Sequence, residues 1–251
     1  MPEFADHYSS IAAHYRAVRP RYPAALYDFL AGLLGSARPP VVWDACTGNG
    51  QVAVALAERG ARVIATDASA AQIAAAVPHH GVDYRVELAE EATIAAGEVD
   101  LVAVAAGLHW LDHPRFFTQV RRVLRPGGVV AVWTYGTSLG AGPSLDAQVS
   151  AVVQELGPWW PPEVDAVRDG YQAVELPWAD GGDRVFMLEE AWGRERVLGL
   201  VKSWSAARIR ARHEGRELSP QVEQALMEAW GPHPRPVRLP VTLRWCRRPG
   251  R

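Results

Sequence analysis

The stretch "VVWDACTGNGQVA", Val41 to Ala53, constrains this chain more than any other. Apolar residues run into an acid, then into small residues and two glycines, and then turn apolar again. A glycine turn where a strand feeds a helix lets a ligand approach the backbone and aims free amide groups at it. Gly48-Asn49-Gly50-Gln51-Val52-Ala53 matches G-x-G-x-x-G/A, which by itself is a weak signal. Asp44 sharpens it, because Ala45-Cys46-Thr47 separates that acid from the first glycine. A dinucleotide fingerprint brings its glycines in almost directly after the strand, since a pyrophosphate must sit on the helix N-terminus. A carboxylate at that mouth suits a cationic ligand and repels a phosphate.

A second acid, Asp67, closes "RVIATD" 17 residues past Gly50. At the end of a second strand it can accept hydrogen bonds from both hydroxyls of a ribose, at roughly 1.5–3 kcal/mol for each bond to a charged group. Asp67 can equally serve as N-cap to the helix beginning "ASAAQ". Joined to the glycine turn, the ribose role is favoured.

The surrounding pattern predicts the architecture. Short Val/Ala-rich runs at 41–45, 62–67, 82–88, 99–107 and 128–136 alternate with helical stretches, as for strands covered on both faces. "PRFFTQVRRVLRPGG" reads as a helix begun at Pro114 and stopped by Pro126-Gly127-Gly128. Alternation of this kind predicts an α/β fold with a doubly wound, mostly parallel sheet whose ligands gather beyond the strands' carboxyl ends. Further along, 183–189 and 236–248 read as late strands that bring the sheet to seven. The expected organisation is a helical lid over 1–36, a cofactor-binding core over 37–138, and a Trp-rich helical cap over 139–182 and 190–235.

Composition narrows the function classes. A formal charge of -2 across 251 residues lacks the basic surplus of a nucleic-acid binder. Two cysteines, Cys46 and Cys246, are too few for a disulfide framework or a cysteine zinc site. No run of 18 apolar residues occurs, and "MPEFADHYSS" has no signal-peptide pattern. The expectation is a soluble cytoplasmic protein, monomer or homodimer, without metal, nucleic-acid or membrane partner.

Taken together, "YRAVRPRYP", "WDACTGNGQVA", "VIATDAS", "LAEE", "VDLVAVAAGLHWLD" and "VLRPGGVVAVWTYG" resemble the class I S-adenosylmethionine-dependent methyltransferases, in particular the branch of trans-aconitate methyltransferase-like enzymes. The resemblance is strong over 8–136 and thinner beyond, where "GYQAVELPW" and "VKSWSAAR" still resemble that branch. It implies a Rossmann-like methyltransferase fold and S-adenosyl-L-methionine as cofactor. By the same resemblance, Asp44, Gly48 and Gly50 hold the methionine part, Asp67 the ribose and Glu90 the adenine edge. Ala105, on the fourth strand, is also expected among the cofactor-binding residues. Tyr15 and Arg19 belong to the lid, with Arg19 meeting the cofactor carboxylate. The chain departs from the superfamily at Cys46, where a first glycine is common.

For the acceptor, His109 at the end of the fourth strand is expected as a general base or a wall of the site. Trp110, Tyr135, Trp159, Trp160 and Trp204 are expected as flat walls. The predicted reaction is methyl transfer to a small molecule, with a carboxylate or hydroxyl oxygen favoured. The alternatives are a nicotinamide-dependent oxidoreductase using the same turn, and a non-catalytic module binding cofactor or metabolite. Gly136-Thr137-Ser138-Leu139-Gly140 spells the hydrolase pattern G-x-S-x-G, but its Gly/Pro-rich surroundings read as a loop. His109 and His113 have metal-ligand spacing only if both lie on one helix, which Pro114 opposes. Arg208, Arg210 and Arg212 read as a solvated helix face or as an anchor for acidic groups.

Overall fold

The computed structural model describes residues 18–35 and 38–250. Seven strands form one sheet: β1 (Val41–Ala45), β2 (Arg62–Asp67), β3 (Val82–Val86), β4 (Val99–Ala105), β5 (Leu124–Tyr135), β6 (Gly181–Trp192) and β7 (Arg235–Arg247). Their order is β3-β2-β1-β4-β5-β7-β6. The first five run parallel, while β7 is antiparallel to both of its neighbours. The order reverses at β1, which lies between β2 and β4, so a crevice opens beyond the carboxyl ends of those three strands.

Nine helices accompany the sheet among the described residues: α1 (Ala24–Leu33), α2 (Gln51–Ala57), α3 (Ala70–Ala74), α4 (His113–Val123), α5 (Pro143–Glu155), α6 (Asp165–Arg168), α7 (Arg194–Lys202), α8 (Ser205–Glu214) and α9 (Pro220–Trp230). The Val/Ala-rich strands are covered on both faces. Val42, Val63, Leu101 and Trp133 face Leu26 and Leu30 of α1 and Leu56 of α2. On the other face Trp43, Ile64 and Val102 share a core with Phe116 and Val120 of α4. Burial on this scale, at roughly 25 cal/mol per Å² of apolar surface, is what holds the layers.

Three expectations are corrected here. Part of the predicted lid is a core helix, because Leu26, Tyr27 and Leu30 of α1 are buried in the main core. The helix expected to run to Pro126 ends at Val123, and β5 starts at Leu124. A register shift between Val99 and Leu101 absorbs the Pro-Gly-Gly turn. There Asp100 is buried, accepts from the Val41 amide at 2.7 Å and pairs with Arg38 and Arg125. The first late strand is also longer than expected, at 181–192, while the last runs over 235–247, within one residue of expectation.

The Trp-rich segment shares the core of the sheet. Leu145, Val149, Trp192, Leu200 and Trp230 join the α1 face, and the Trp230 indole donates to the Trp192 carbonyl at 2.9 Å. Arg210 is buried against Glu155 and Glu214, and Arg208 bonds Glu217 at 2.9 Å. Both arginines therefore take part in ion pairs within the chain. No helix among the described residues is long and apolar enough to cross a membrane.

Candidate functional site

The loop after β1 explains its own composition. Cys46, Gly48 and Gly50 have φ of 57°, 56° and 84°, in the left-handed region that costs most side chains roughly 1–2 kcal/mol. A Cβ on Gly50 would stand 2.0 Å from the Tyr84 phenol oxygen, which is itself bonded to the Val77 carbonyl. The glycine is therefore required by packing as well as by backbone. Cys46 is accommodated because Gly107 faces it. A Cβ on Gly107 would lie 2.6 Å from the Cys46 Cβ. The cysteine that departs from the superfamily pattern is thus matched by a glycine across the crevice. Burial, aided by Asp67, Glu90 and Asp44, holds its thiol well above the usual range, so Cys46 stays protonated and unreactive.

Asp44 is buried below this loop. Its Oδ2 accepts from the Thr47 hydroxyl at 2.6 Å, and among the described residues Oδ1 has no partner. Burial, with a smaller push from Asp67, raises its pKa to about 7. A buried, half-satisfied carboxylate is costly, and a cationic ammonium is the partner whose charge relieves it. Asp67 ends β2, accepts from the Gly48 amide at 2.8 Å on Oδ2 and from the Ser69 amide at 2.9 Å on Oδ1. Ser69, not Asp67, caps α3 by accepting from Gln72. Each carboxylate oxygen of Asp67 can accept a second hydrogen bond. Glu90, in a short helical turn after β3, accepts from the Asp112 amide at 2.9 Å. It therefore lies on the rim shared by the ends of β3 and β4. Ala105 is the last residue of β4, and Ala106 turns away at φ 49°. The donor set of this crevice is chemically that of a zwitterionic amino acid linked to a nucleoside: a carboxylate for an ammonium, a second for ribose hydroxyls and a glycine cradle.

A separate cleft of about 60 Å³ lies on the β5 side. Arg19, His109, Tyr135, Trp160 and Trp204 line it, together with Ala106, Thr134 and Ser205. The Arg19 guanidinium donates to the Tyr135 hydroxyl and to the Ser203 carbonyl, each at 3.0 Å. Arg19, expected on the cofactor carboxylate, lines this cleft beside Ala106. Trp110 and Trp159 are not among the lining residues. The Trp110 ring packs 4.6 Å from His109, and that of Trp159 lies 5.4 Å from His213. Tyr15 lies outside the described residues. Ser205 and Thr134 in the lining and Tyr171 behind it lie in segments that carried the family resemblance, but no role was expected of them individually.

His109 sits in the 3-10 turn Leu108–Trp110. Its Nδ1 is 2.9 Å from the Tyr171 hydroxyl. Burial first, then the charge of Arg19 and of His113, lowers its pKa to about 3. An imidazole that binds a proton so weakly is a poor general base for a phenol of pKa about 10. Of the two roles expected for His109, base or wall, these surroundings favour a neutral, hydrogen-bonding wall. His113 begins α4, and its Nε2 donates to the Leu108 carbonyl at 3.0 Å, so the two histidines do not share a helix. Ser138 of the G-x-S-x-G pattern is exposed in an irregular loop, with no strand-to-helix elbow.

Sheet order, crevice and carboxylate pair define the nucleotide-type methyltransferase class of α/β proteins. The family described as a methyltransferase domain matches residues 43–132. A solved structure of a candidate type II methyltransferase from Anaeromyxobacter dehalogenans superposes with a TM-score of 0.81 at 34% identity, covering 93% of this chain and 99% of that one. A candidate methyltransferase of Dictyostelium discoideum is 28% identical over 91% of this chain and 88% of its own length. An uncharacterized methyltransferase of Mycobacterium tuberculosis is 35% identical over 68% of this chain and 64% of its own. The chain belongs to the class I S-adenosylmethionine-dependent methyltransferases, and its cofactor is S-adenosyl-L-methionine. The particular branch within that class stays at the level of resemblance.

Proposed function

We propose that this enzyme methylates an oxygen of a small anionic acceptor, a carboxylate above all. The carrying observation is the cleft in which Arg19, the neutral His109 and the Tyr135 hydroxyl converge beside Ala106 at the β4 end. A guanidinium beside hydrogen-bonding side chains suits an anionic oxygen. The same guanidinium repels an ammonium acceptor.

S-adenosyl-L-methionine supplies, when bound, an electrophilic methyl on a sulfonium that leaves as a neutral thioether. Asp44 would hold its ammonium, Asp67 its ribose and Glu90 its adenine edge, with Gly48 and Gly50 keeping side chains out of its path. The remaining work is orientation. Aligned reactants recover roughly 7–11 kcal/mol of barrier without any proton transfer. A carboxylate is ionised at neutral pH and needs no base, in keeping with a His109 whose proton affinity burial lowers. Trp160 and Trp204 flank the acceptor as flat walls that keep water out.

The test is transfer of a labelled methyl from S-adenosyl-L-methionine to a panel of small mono- and dicarboxylates, phenols and amines. Base-labile methyl esters from the carboxylates are expected. Turnover confined to phenols or amines overturns the acceptor assignment while leaving the methyltransferase in place.

A further inference from the structure

The structure assigns Tyr171 a positioning role: its phenol donates to Nδ1 of His109, holds that imidazole as the Nε2–H tautomer, and so turns the cleft wall into a hydrogen-bond donor. The tautomer follows from geometry alone; its use toward an acceptor oxygen rests on the function proposed above.

Tyr171 is fully buried, far from His109 in sequence, and its hydroxyl lies 2.9 Å from Nδ1 with the two rings near parallel at 28°. Its position is over-determined. Gly170 and Tyr171 both hold left-handed backbone, at φ 67° and 64°. The Tyr171 amide donates to the Ala166 carbonyl at 2.8 Å. Arg244 of β7 donates to the carbonyls of Tyr171 and Val174, the latter at 2.7 Å, while its other side pairs with Asp183 at 3.2 Å. Asp169 accepts from the amides of Gln172 and Ala173 at 3.1 and 3.2 Å. A bulky non-glycine residue kept left-handed by so many bonds marks a constraint of the kind found at functional sites.

The direction of the His109–Tyr171 bond follows from burial. The hydroxyl of fully buried Tyr171 must place its proton on an acceptor, and among the described residues its hydrogen-bond partner is Nδ1 of His109. Were Nδ1 the donor, the phenol's own proton would be buried unpaired, so that proton goes to Nδ1. His113 anchors the same turn from the other side by donating to the Leu108 carbonyl. Nε2 is then the protonated nitrogen of His109, on a residue that lines the cleft.

The test uses the full chain labelled with ¹⁵N-histidine, without cofactor or acceptor. Long-range ¹H–¹⁵N spectra report which ring nitrogen carries the proton, and His109→Gln assigns the signal. The expected result is a neutral His109 protonated at Nε2, converted to a mixture of tautomers in Tyr171→Phe. A wild-type proton on Nδ1, or a tautomer unmoved by Tyr171→Phe, overturns the assignment. Should Tyr171→Phe fail to fold, the wild-type spectrum still decides. In turnover, Tyr171→Phe should raise the acceptor KM about tenfold with S-adenosylhomocysteine affinity unchanged. Equal losses in both would mark a merely structural role. A panel that accepts only phenols or amines would overturn the proposed acceptor and leave the tautomer standing.

Discussion

The two ends of the crevice are built in different ways. At the proposed cofactor end, Asp44 of β1 and Thr47, Gly48 and Gly50 of the turn after it come from one short segment, and Asp67 arrives on the next strand. Local bonds such as Thr47 to Asp44 and Gly48 to Asp67 complete it. At the acceptor end, Arg19, His109, Tyr135, Trp160 and Trp204 come from five separate segments. Their partners are long-range: Arg19 bonds Tyr135 and Ser203, and His109 bonds Tyr171. A ligand shared across a superfamily can be held by a short motif. An acceptor particular to one enzyme is enclosed by whatever the rest of the chain brings over it.

The largest expected effect tests how rigid the local end is. Gly50→Val places a branched side chain at φ 84° and into the Tyr84 phenol. Left-handed strain and overpacking together should cost about 2–5 kcal/mol, read as a lower urea midpoint with unchanged slope. Tyr84→Ala should recover part of that loss. Unchanged stability would mean that the turn is slack and that its glycines serve the ligand alone. Next comes Asp67→Ala, which removes the β2 carboxylate but leaves the sheet intact. S-adenosylhomocysteine affinity should fall roughly 10–100-fold by calorimetry, in keeping with the loss of one or two charged hydrogen bonds. The same variant should leave the acceptor KM nearly unchanged. Equal losses in both would erase the distinction between the two ends.

This difference also explains what could be read without coordinates. The strands at 41–45 and 62–67 and the glycine turn between them depend on neighbours in sequence, and periodicity and turn chemistry report such neighbours directly. The seven-stranded sheet was legible for the same reason. The bond of Arg19 to Tyr135 was not, because the two lie 116 residues apart. Trp110 and Trp159 show the converse: aromatic composition suggested walls, but their rings pack against His109 and His213 and do not line the cleft. The early end of the α4 helix escaped because a bulge around buried Asp100, a tertiary feature, lets β5 begin before Pro126. Tyr171 lies in "GYQAVELPW", which resembles the branch but assigns the residue no role; its place depends on Arg244 of the last strand.

A smaller effect probes the charge at the local end. The folded, ligand-free protein keeps the Asp44 proton to about pH 7, whereas an ordinary aspartate releases it near 3.8. Between those values the folded state binds more protons than the unfolded one, so this group's contribution to stability falls as pH rises from about 4 to 7. Asp44→Asn should flatten that portion of the stability profile. Binding of S-adenosylhomocysteine, whose ammonium favours the ionised carboxylate, should release up to about one proton at pH 6. Calorimetry in buffers of different ionisation enthalpy measures that proton, which should vanish in Asp44→Asn and at pH 8.5. Release that persists in the variant would assign the proton elsewhere and remove the argument that Asp44 awaits a cation.

The smallest effect belongs to the enclosing end. Trp160 is half-buried; its indole donates to the Val153 carbonyl at 3.2 Å, and its ring lies 5.7 Å from that of Trp204. Trp160→Phe removes that one hydrogen bond and some ring area, for a stability cost of about 1 kcal/mol. Because no part of the cofactor end contacts this ring through a recorded bond, S-adenosylhomocysteine affinity should stay within a factor of two. The acceptor KM should rise a few-fold, since a flat wall contributes packing without fixing orientation. If acceptor range broadens at the same time, the aromatic pair sets specificity by shape, and the contrast between a rigid shared end and an adjustable private one is sharpened. If cofactor affinity falls in step with the acceptor KM, Trp160 braces both ends, and the two halves of the crevice act as one unit.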